Sequence, residues 1–138
     1  MTKTEEINLV KVGLAVIKDR KMLMVRNAKH GDAFSTLGGK IEDGEDDLRC
    51  LVREVKEEAD TEVDLDSLEL LGVFKGAILG RDNTFITIRL YKGELLGAPV
   101  PSSEIAEIRY FGSDIPEKHL TPASEKIFAW LKEHQYIE

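Results

Sequence analysis

The sequence predicts an α/β domain whose mixed sheet lies between helical layers, and three observations predict it. Runs rich in Val, Ile, Leu and Met are separated by short polar breaks, as strands are. Two stretches, one central and one near the end, carry apolar residues at helical spacing. Some strands are joined by turn residues alone, so hairpins and helical connections share one fold. The chain has 138 residues, the length of one domain. No repeat, low-complexity tract or linker divides it, so residues 1–138 are read as a single unit.

INLVKVGLAVI (7–17) and KMLMVR (21–26) read as two antiparallel strands around the polar break KDR. NAKHGDAFSTLGG (27–39) has turn residues and no period, so it reads as a loop. Glu45 to Ala59 reads as a helix. SLELLGVFKGAIL (67–79) and TFITIRLYKGEL (84–95) read as strands separated by GRDN, which has hairpin chemistry. GAPVPSS (97–103) is a loop, and IAEIRYF (105–111) is a further strand. From Thr121 the chain turns helical. Thr121 suits the N-cap, Pro122 suits the first helical position, and Ile127, Phe128 and Leu131 share a face.

Composition narrows the function. The residues are 42% apolar and 33% charged, which fits a soluble globule rather than a disordered chain. The net charge of -7 disfavours a basic face for long nucleic acid. A small anionic ligand stays open if a divalent cation intervenes. Cys50 is the one cysteine, so no intrachain disulfide forms and a reducing compartment is expected. MTKTEEINLV lacks the basic start and apolar run of a signal peptide, and no apolar run spans a bilayer. A cytoplasmic protein without a membrane partner is the expectation.

The central helix carries the chemistry. At about 100° per residue, with Glu54 at zero, Glu58 falls near +40° and Glu57 near −60°. The three carboxylates share one arc. Leu48, Leu51, Val52, Val55 and Ala59 form an adjoining arc expected to pack on the sheet. Glu54 and Glu58 repel at i,i+4, and glutamate near a helix C-terminus opposes the macrodipole. A solvated acidic face is one reading. A site for a hard divalent cation, which removes both costs, is the other.

Gly39, Glu45, Arg53, Glu54, Val55, Glu57 and Glu58 occupy the fixed positions of G-x5-E-x7-R-E-U-x-E-E-x-G-U, where U is a bulky apolar residue. The segment 39–61 thus resembles the Nudix box. It departs at Asp60, where the pattern has glycine, and at Thr61, where it has an apolar residue. Asp tolerates the left-handed conformation that glycine would adopt there. The resemblance implies a Nudix-type α/β/α sandwich with a mixed β-sheet. It also implies a hydrolase that cleaves a nucleoside diphosphate linked to another moiety.

By position, the resemblance implies that Glu54, Glu57 and Glu58 hold Mg²⁺ or Mn²⁺, with the Gly38 carbonyl as a further ligand. Arg53 would orient a glutamate through charge-assisted hydrogen bonds. Glu45 would brace the loop or reach a second metal through water; a helix N-terminal charge is the equal alternative. Glu54 is the first choice of general base, and Glu104 or Glu107 the second, against a reading of both as surface charge. Arg26 and Lys40, with Lys29, flank the box and are candidates for phosphate; Phe34 is a candidate to stack a base, with Phe74, Phe85 and Tyr110 behind it. His30 and Cys50 are read as bystanders.

Relatives that cleave ADP-ribose often carry a proline about sixteen residues past the box, and those that cleave dinucleoside polyphosphates a nearby tyrosine. FKGAILG (74–80) has neither, which slightly favours a nucleoside triphosphate or a substrate outside these classes over ADP-ribose or a dinucleoside polyphosphate. A nucleotide-binding regulatory domain is the rival from another class, although a binder need not keep three repelling carboxylates. Isomerases of isoprenoid diphosphates are longer and carry further catalytic residues not found here. By analogy with relatives, a homodimer is an open expectation.

Overall fold

Residues 11–16 and 22–25 are buried on both faces of their strands, so their side chains alternate between two layers. Val12, Leu14, Val16, Leu23 and Val25 point to one layer with Leu51, Val55 and Ala59. Ala15, Met22 and Met24 point to the other with Ile127, Phe128 and Leu131. The computed structural model describes residues 5–138; Met1 to Thr4, part of the start read above for a signal peptide, lie outside the described residues.

The elements run β1 (Ile7–Ala15), β2 (Ile17–Lys18), β3 (Lys21–Asn27), β4 (Ser35–Lys40), α1 (Asp47–Ala59), β5 (Val63–Ala77), β6 (Thr84–Leu95), β7 (Ile105–Phe111), a 3₁₀ turn (Glu117–His119) and α2 (Pro122–Glu133). The sheet order is β2-β3-β4-β1-β6-β5, with β7 paired to β3. β1 and β6 are parallel and the other pairings antiparallel, so the sheet is mixed, with α1 on one face and α2 on the other. No helix among the described residues is long and apolar enough to cross a membrane.

Two expectations about the strands change. Residues 35–40, read as loop, form β4, which sits between β1 and β3. The glycine pair hid it from a propensity reading. Contact supplies what propensity lacks, because Leu37 is fully buried and β4 is paired on both edges. The hairpin at KDR therefore joins β2 to β3, while β1 pairs with β4 and β6 instead. β5 also begins earlier than expected, at Val63, across two register irregularities near Asp64 and Leu70.

The helices follow their caps. Asp46 accepts from the Arg49 N–H at 2.8 Å, so α1 starts at Asp47 rather than Glu45. Thr121 caps α2 as expected, with Pro122 in its first turn. At the C-terminus of α1, Asp60 adopts φ 49° and ψ 41°, and its N–H reaches the Lys56 carbonyl at 3.2 Å. Aspartate here pays part of the left-handed cost that glycine avoids. Asp60→Gly is expected to raise stability by about 0.5–1 kcal/mol in chemical denaturation, with the small Lys56 ion pair lost in exchange. A decrease would mean that the ion pair outweighs the backbone.

Candidate active site

Asp47 at the first turn of α1 fixes the helix to the sheet. Its carboxylate accepts from Arg89 Nε at 3.0 Å and from the Tyr91 hydroxyl at 2.7 Å, both on β6. Arg89, then burial opposing it, then Tyr91 set the balance, and the carboxyl is held below the usual range. A carboxyl pKa lower when folded than when unfolded stabilises the fold above the unfolded value near 3.8 and ceases to do so as pH falls through the folded value. Asp47→Asn is expected to cost about 1–2 kcal/mol at pH 7, and the gap from wild type should shrink as pH falls below 3.8. A gap unchanged across that window would remove the charge from the explanation.

The anchored helix turns its carboxylates inward. The buried residues of α1 are Cys50, Leu51, Val55 and Ala59, while Leu48 and Val52 are 42% and 39% exposed. The sheet-facing arc is therefore shifted toward Cys50: Val52 falls past its far edge, and Leu48, at an angle between Val55 and Ala59, is exposed in the first turn. On the same angular scale, Glu54 and Glu58 lie between Cys50 and Leu51, within the sheet-facing arc rather than beside it. Only Glu57 stays at the rim, with its side chain 53% exposed.

The glycine pair of β4 makes room for this. A Cβ on Gly39 would lie 2.3 Å from Glu54 Cδ, and one on Gly38, at φ 132°, would lie 2.1 Å from the Val12 carbonyl oxygen. The Gly38 N–H instead donates to Glu58 Oε1 at 2.9 Å. Burial, opposed by Lys11 and this N–H but aided by Glu54 and Glu57, pushes the Glu58 carboxyl up to about 7.

Arg53 ties the loop to the helix. Its Nε and Nη2 donate to the two oxygens of Glu45 at 2.7 and 2.9 Å, Nη1 to Glu54 at 2.7 Å, and Nη2 to the Lys40 carbonyl at 3.1 Å. Glu45 also accepts from the Glu42 N–H at 2.9 Å. The Arg53 contact first, then the Glu42 N–H, hold the Glu45 carboxyl down to about 2. Glu45 is thus tied to Arg53 and to the loop before α1, and sits ahead of the N-cap rather than on the helix.

Loop 97–103 completes the site. Val100 and Ser102 donate N–H groups to the carbonyls of Ala59 and Glu58 at 2.8 and 3.1 Å, satisfying the end of α1. The chain is thereby led past the glutamates. Glu54, Glu57 and Glu58 line a cleft of about 110 Å³ with Asn27, Ser103 and Glu104. Glu104 precedes β7 rather than lying on it, and pairs with Lys29 at 2.6 Å. Glu107 does lie on β7, but it is held by Arg26 at 3.3 Å and by Arg109, and it does not line the cleft.

The remaining candidates are placed as follows. Arg26, half-buried, faces Glu107 across β3 and β7. The Lys40 side chain is exposed, and its carbonyl rather than its ammonium meets Arg53. Phe34 is 1% exposed and packs edge-on to Phe111 and His119, so its ring belongs to the core, not to a ligand. Cys50 is buried with its thiol toward the Gly39 and Lys40 carbonyls at 3.5 and 3.7 Å, and burial pushes it up to about 11, as befits a bystander.

Lys11 was not singled out in the sequence. It is 8% exposed, on the α2 face of β1, and donates to the Thr36 carbonyl at 2.7 Å. Burial pushes its pKa down, and Glu58 and then Glu54 hold it up. The available signal was a single lysine inside an apolar run, beside Gly13 and Ala15 on the same face.

The donor set of the cleft is all oxygen, which suits Mg²⁺ or Mn²⁺ better than a soft metal. Among the described residues no three such side chains already stand at ion-holding distance. Arg53 and the Gly38 N–H hold Glu54 and Glu58 in place separately. A cation at the cleft would offset the burial, and the smaller repulsion from Glu54 and Glu57, that lift Glu58.

The model of the NUDIX domain family matches residues 8–131. No match was found among curated proteins. A MutT NUDIX hydrolase from Burkholderia pseudomallei superposes with a TM-score of 0.75 at 21% identity, covering 90% of this chain and 98% of that one. A NUDIX hydrolase from Nitrosomonas europaea gives 0.74 at 21% identity, covering 94% and 92%. An ADP-ribose pyrophosphatase from Streptococcus suis 89-1591 gives 0.61 at 23% identity, covering 91% and 90%.

Proposed function

The chain belongs to the NUDIX domain family, and on that premise we propose that it is a metal-dependent pyrophosphohydrolase. It cleaves a nucleoside diphosphate linked to another moiety by attack of water at phosphorus, with a nucleoside triphosphate as the favoured substrate. The observation that carries this reading is the inward set of Glu54 and Glu58, with Glu57 at the rim of the same cleft. Two carboxylates turned toward the sheet are costly unless a cation and its phosphates meet them.

Glu54, Glu57 and Glu58 would hold Mg²⁺ or Mn²⁺, with the Gly38 carbonyl as the fourth candidate. The bound ion supplies charge neutralisation of the diphosphate and acidifies water. The protein's own residues then orient and accept. Arg53 fixes the Glu54 carboxylate and, through Glu45, the loop that carries Glu42. Glu54 remains the first choice to accept the proton of the attacking water. Glu104 is the second choice, since it lines the cleft and Glu107 does not.

The substrate names of the structural neighbours differ, so the leaving group is read from this chain alone. The test incubates the protein and Mg²⁺ with nucleoside triphosphates, ADP-ribose and dinucleoside polyphosphates, and follows pyrophosphate, phosphate and AMP. Turnover that requires the metal and is fastest for a triphosphate supports the reading. Binding of nucleotide without turnover of any compound would make the chain a sensor instead.

A further inference from the structure

A second cavity is larger than the carboxylate cleft. It has a volume of about 560 Å³ and lies on the α2 face, between β1, β4, β6 and the start of α2. That size suits a small ligand. Ile86, Ile88, Leu120 and Ala123 give it apolar walls, and Lys11 and Thr36 give it polar atoms.

Ser35, His30, Lys118 and Thr121 also line the cavity, but Lys11 and Thr36 are the two whose buried polar atoms are incompletely satisfied. Lys11 has three N–H donors and gives one to the Thr36 carbonyl. Thr36 is 1% exposed, and its Oγ1 is buried without a hydrogen-bond partner. A buried hydroxyl left unpaired is costly, so such an atom calls for an explanation. Thr36 also stands two residues before Gly38 on β4, a separation of roughly 7 Å along a strand. The Gly38 N–H holds Glu58. β4 thus contributes Thr36 to the cavity and the Gly38 N–H to the seat of Glu58.

We propose, resting on the hydrolase reading above, that this cavity takes the nucleobase and that Lys11 with Thr36 selects a base presenting a ring carbonyl over one presenting an amino group. An ammonium donates and does not accept. A carbonyl oxygen satisfies Lys11, and the Thr36 hydroxyl can donate to that oxygen or accept from the adjacent ring N–H. An amino group at the same edge leaves Lys11 facing another donor. Sites that hydrogen-bond a substrate group discriminate strongly against an analogue that lacks it.

The test compares kcat/KM, with Mg²⁺, for UTP against CTP and for ITP against ATP. It also measures calorimetric binding of UMP, CMP, IMP and AMP. The carbonyl member of the better-used pair should be favoured by about 10- to 100-fold in both measurements. Lys11→Met should collapse the ratio toward one, whereas a lysine of purely structural value would depress both members alike. Should Lys11→Met not fold, Thr36→Val removes the orphan hydroxyl in the same volume and should lower the preference about tenfold. Equal use of the pair, preference for the amino member, or a ratio untouched by these substitutions overturns the inference. Selective binding without any turnover keeps it and sinks the hydrolase reading; turnover without selectivity does the opposite.

Discussion

Glu58→Gln is expected to lower kcat/KM by on the order of 10³-fold, equivalent to about 4 kcal/mol of transition-state stabilisation. The amide oxygen can still accept from the Gly38 N–H, so the bond that seats the side chain survives. What disappears is the charge. Burial pushes the Glu58 carboxyl up to about 7, against 4.5 for the free side chain. The metal-free fold therefore favours protonated Glu58, and that stabilisation is lost as pH rises through about 7.

A neutral glutamine escapes that loss. Metal-free Glu58→Gln should melt higher than wild type at pH 8, with the difference closing near pH 5. Mg²⁺ should then stabilise wild type and leave the variant almost unmoved. Lower activity with higher stability is the signature of a site strained for function. Glu57→Gln should also slow turnover by orders of magnitude, but without the stability gain, because its side chain is half exposed. Wild-type rates in both variants would remove these glutamates from the mechanism, and equal melting at pH 8 would remove the strain.

The second large effect separates two adjacent glycines. Gly39→Ala would place a methyl group 2.3 Å from Glu54 Cδ and 2.4 and 2.6 Å from its oxygens. The carboxylate can swing aside, so the fold should survive. Displacement by about 1 Å should then lower kcat by roughly 100-fold. The Arg53 contact that fixes Glu54 would be broken with it.

Gly38→Ala meets backbone instead. Its Cβ would stand 2.1 Å from the Val12 carbonyl oxygen, at a φ of 132° that side chains avoid. The strand cannot yield there, so stability should fall by about 3 kcal/mol or more. Circular dichroism melts and steady-state rates on the two variants decide the matter. If Gly39→Ala unfolds while Gly38→Ala stays native, the assigned contacts are wrong.

Much of this molecule was legible because its strongest signals are local. The spacing of Arg53, Glu54, Glu57 and Glu58 on a helix is periodic, and so is the α2 face of Ile127, Phe128 and Leu131. The left-handed Asp60 also followed from local chemistry. The misses were tertiary. β4 is built from residues of poor strand propensity, because β1 and β3 pair with it on either edge.

The shift of the sheet-facing arc of α1 was missed for a similar reason. An apolar wheel assigned Leu48 and Val52 inward, but Asp47 is pinned by Arg89 and Tyr91 from β6, residues more than forty positions away. Phe34 looked like a loop aromatic until β7 and His119 closed over it. Lys11 was passed over because most of the cavity it faces is lined by residues distant in sequence, from β4, β6 and the start of α2.

Glu54, Glu57 and Glu58 are proposed as the seat of a divalent cation. Titration calorimetry of Mg²⁺ and Mn²⁺ into the metal-free protein, alone and with a nucleotide present, tests it most directly. Saturable binding that nucleotide strengthens and Glu58→Gln weakens is the predicted result. No heat from either ion, even with nucleotide bound, would contradict it.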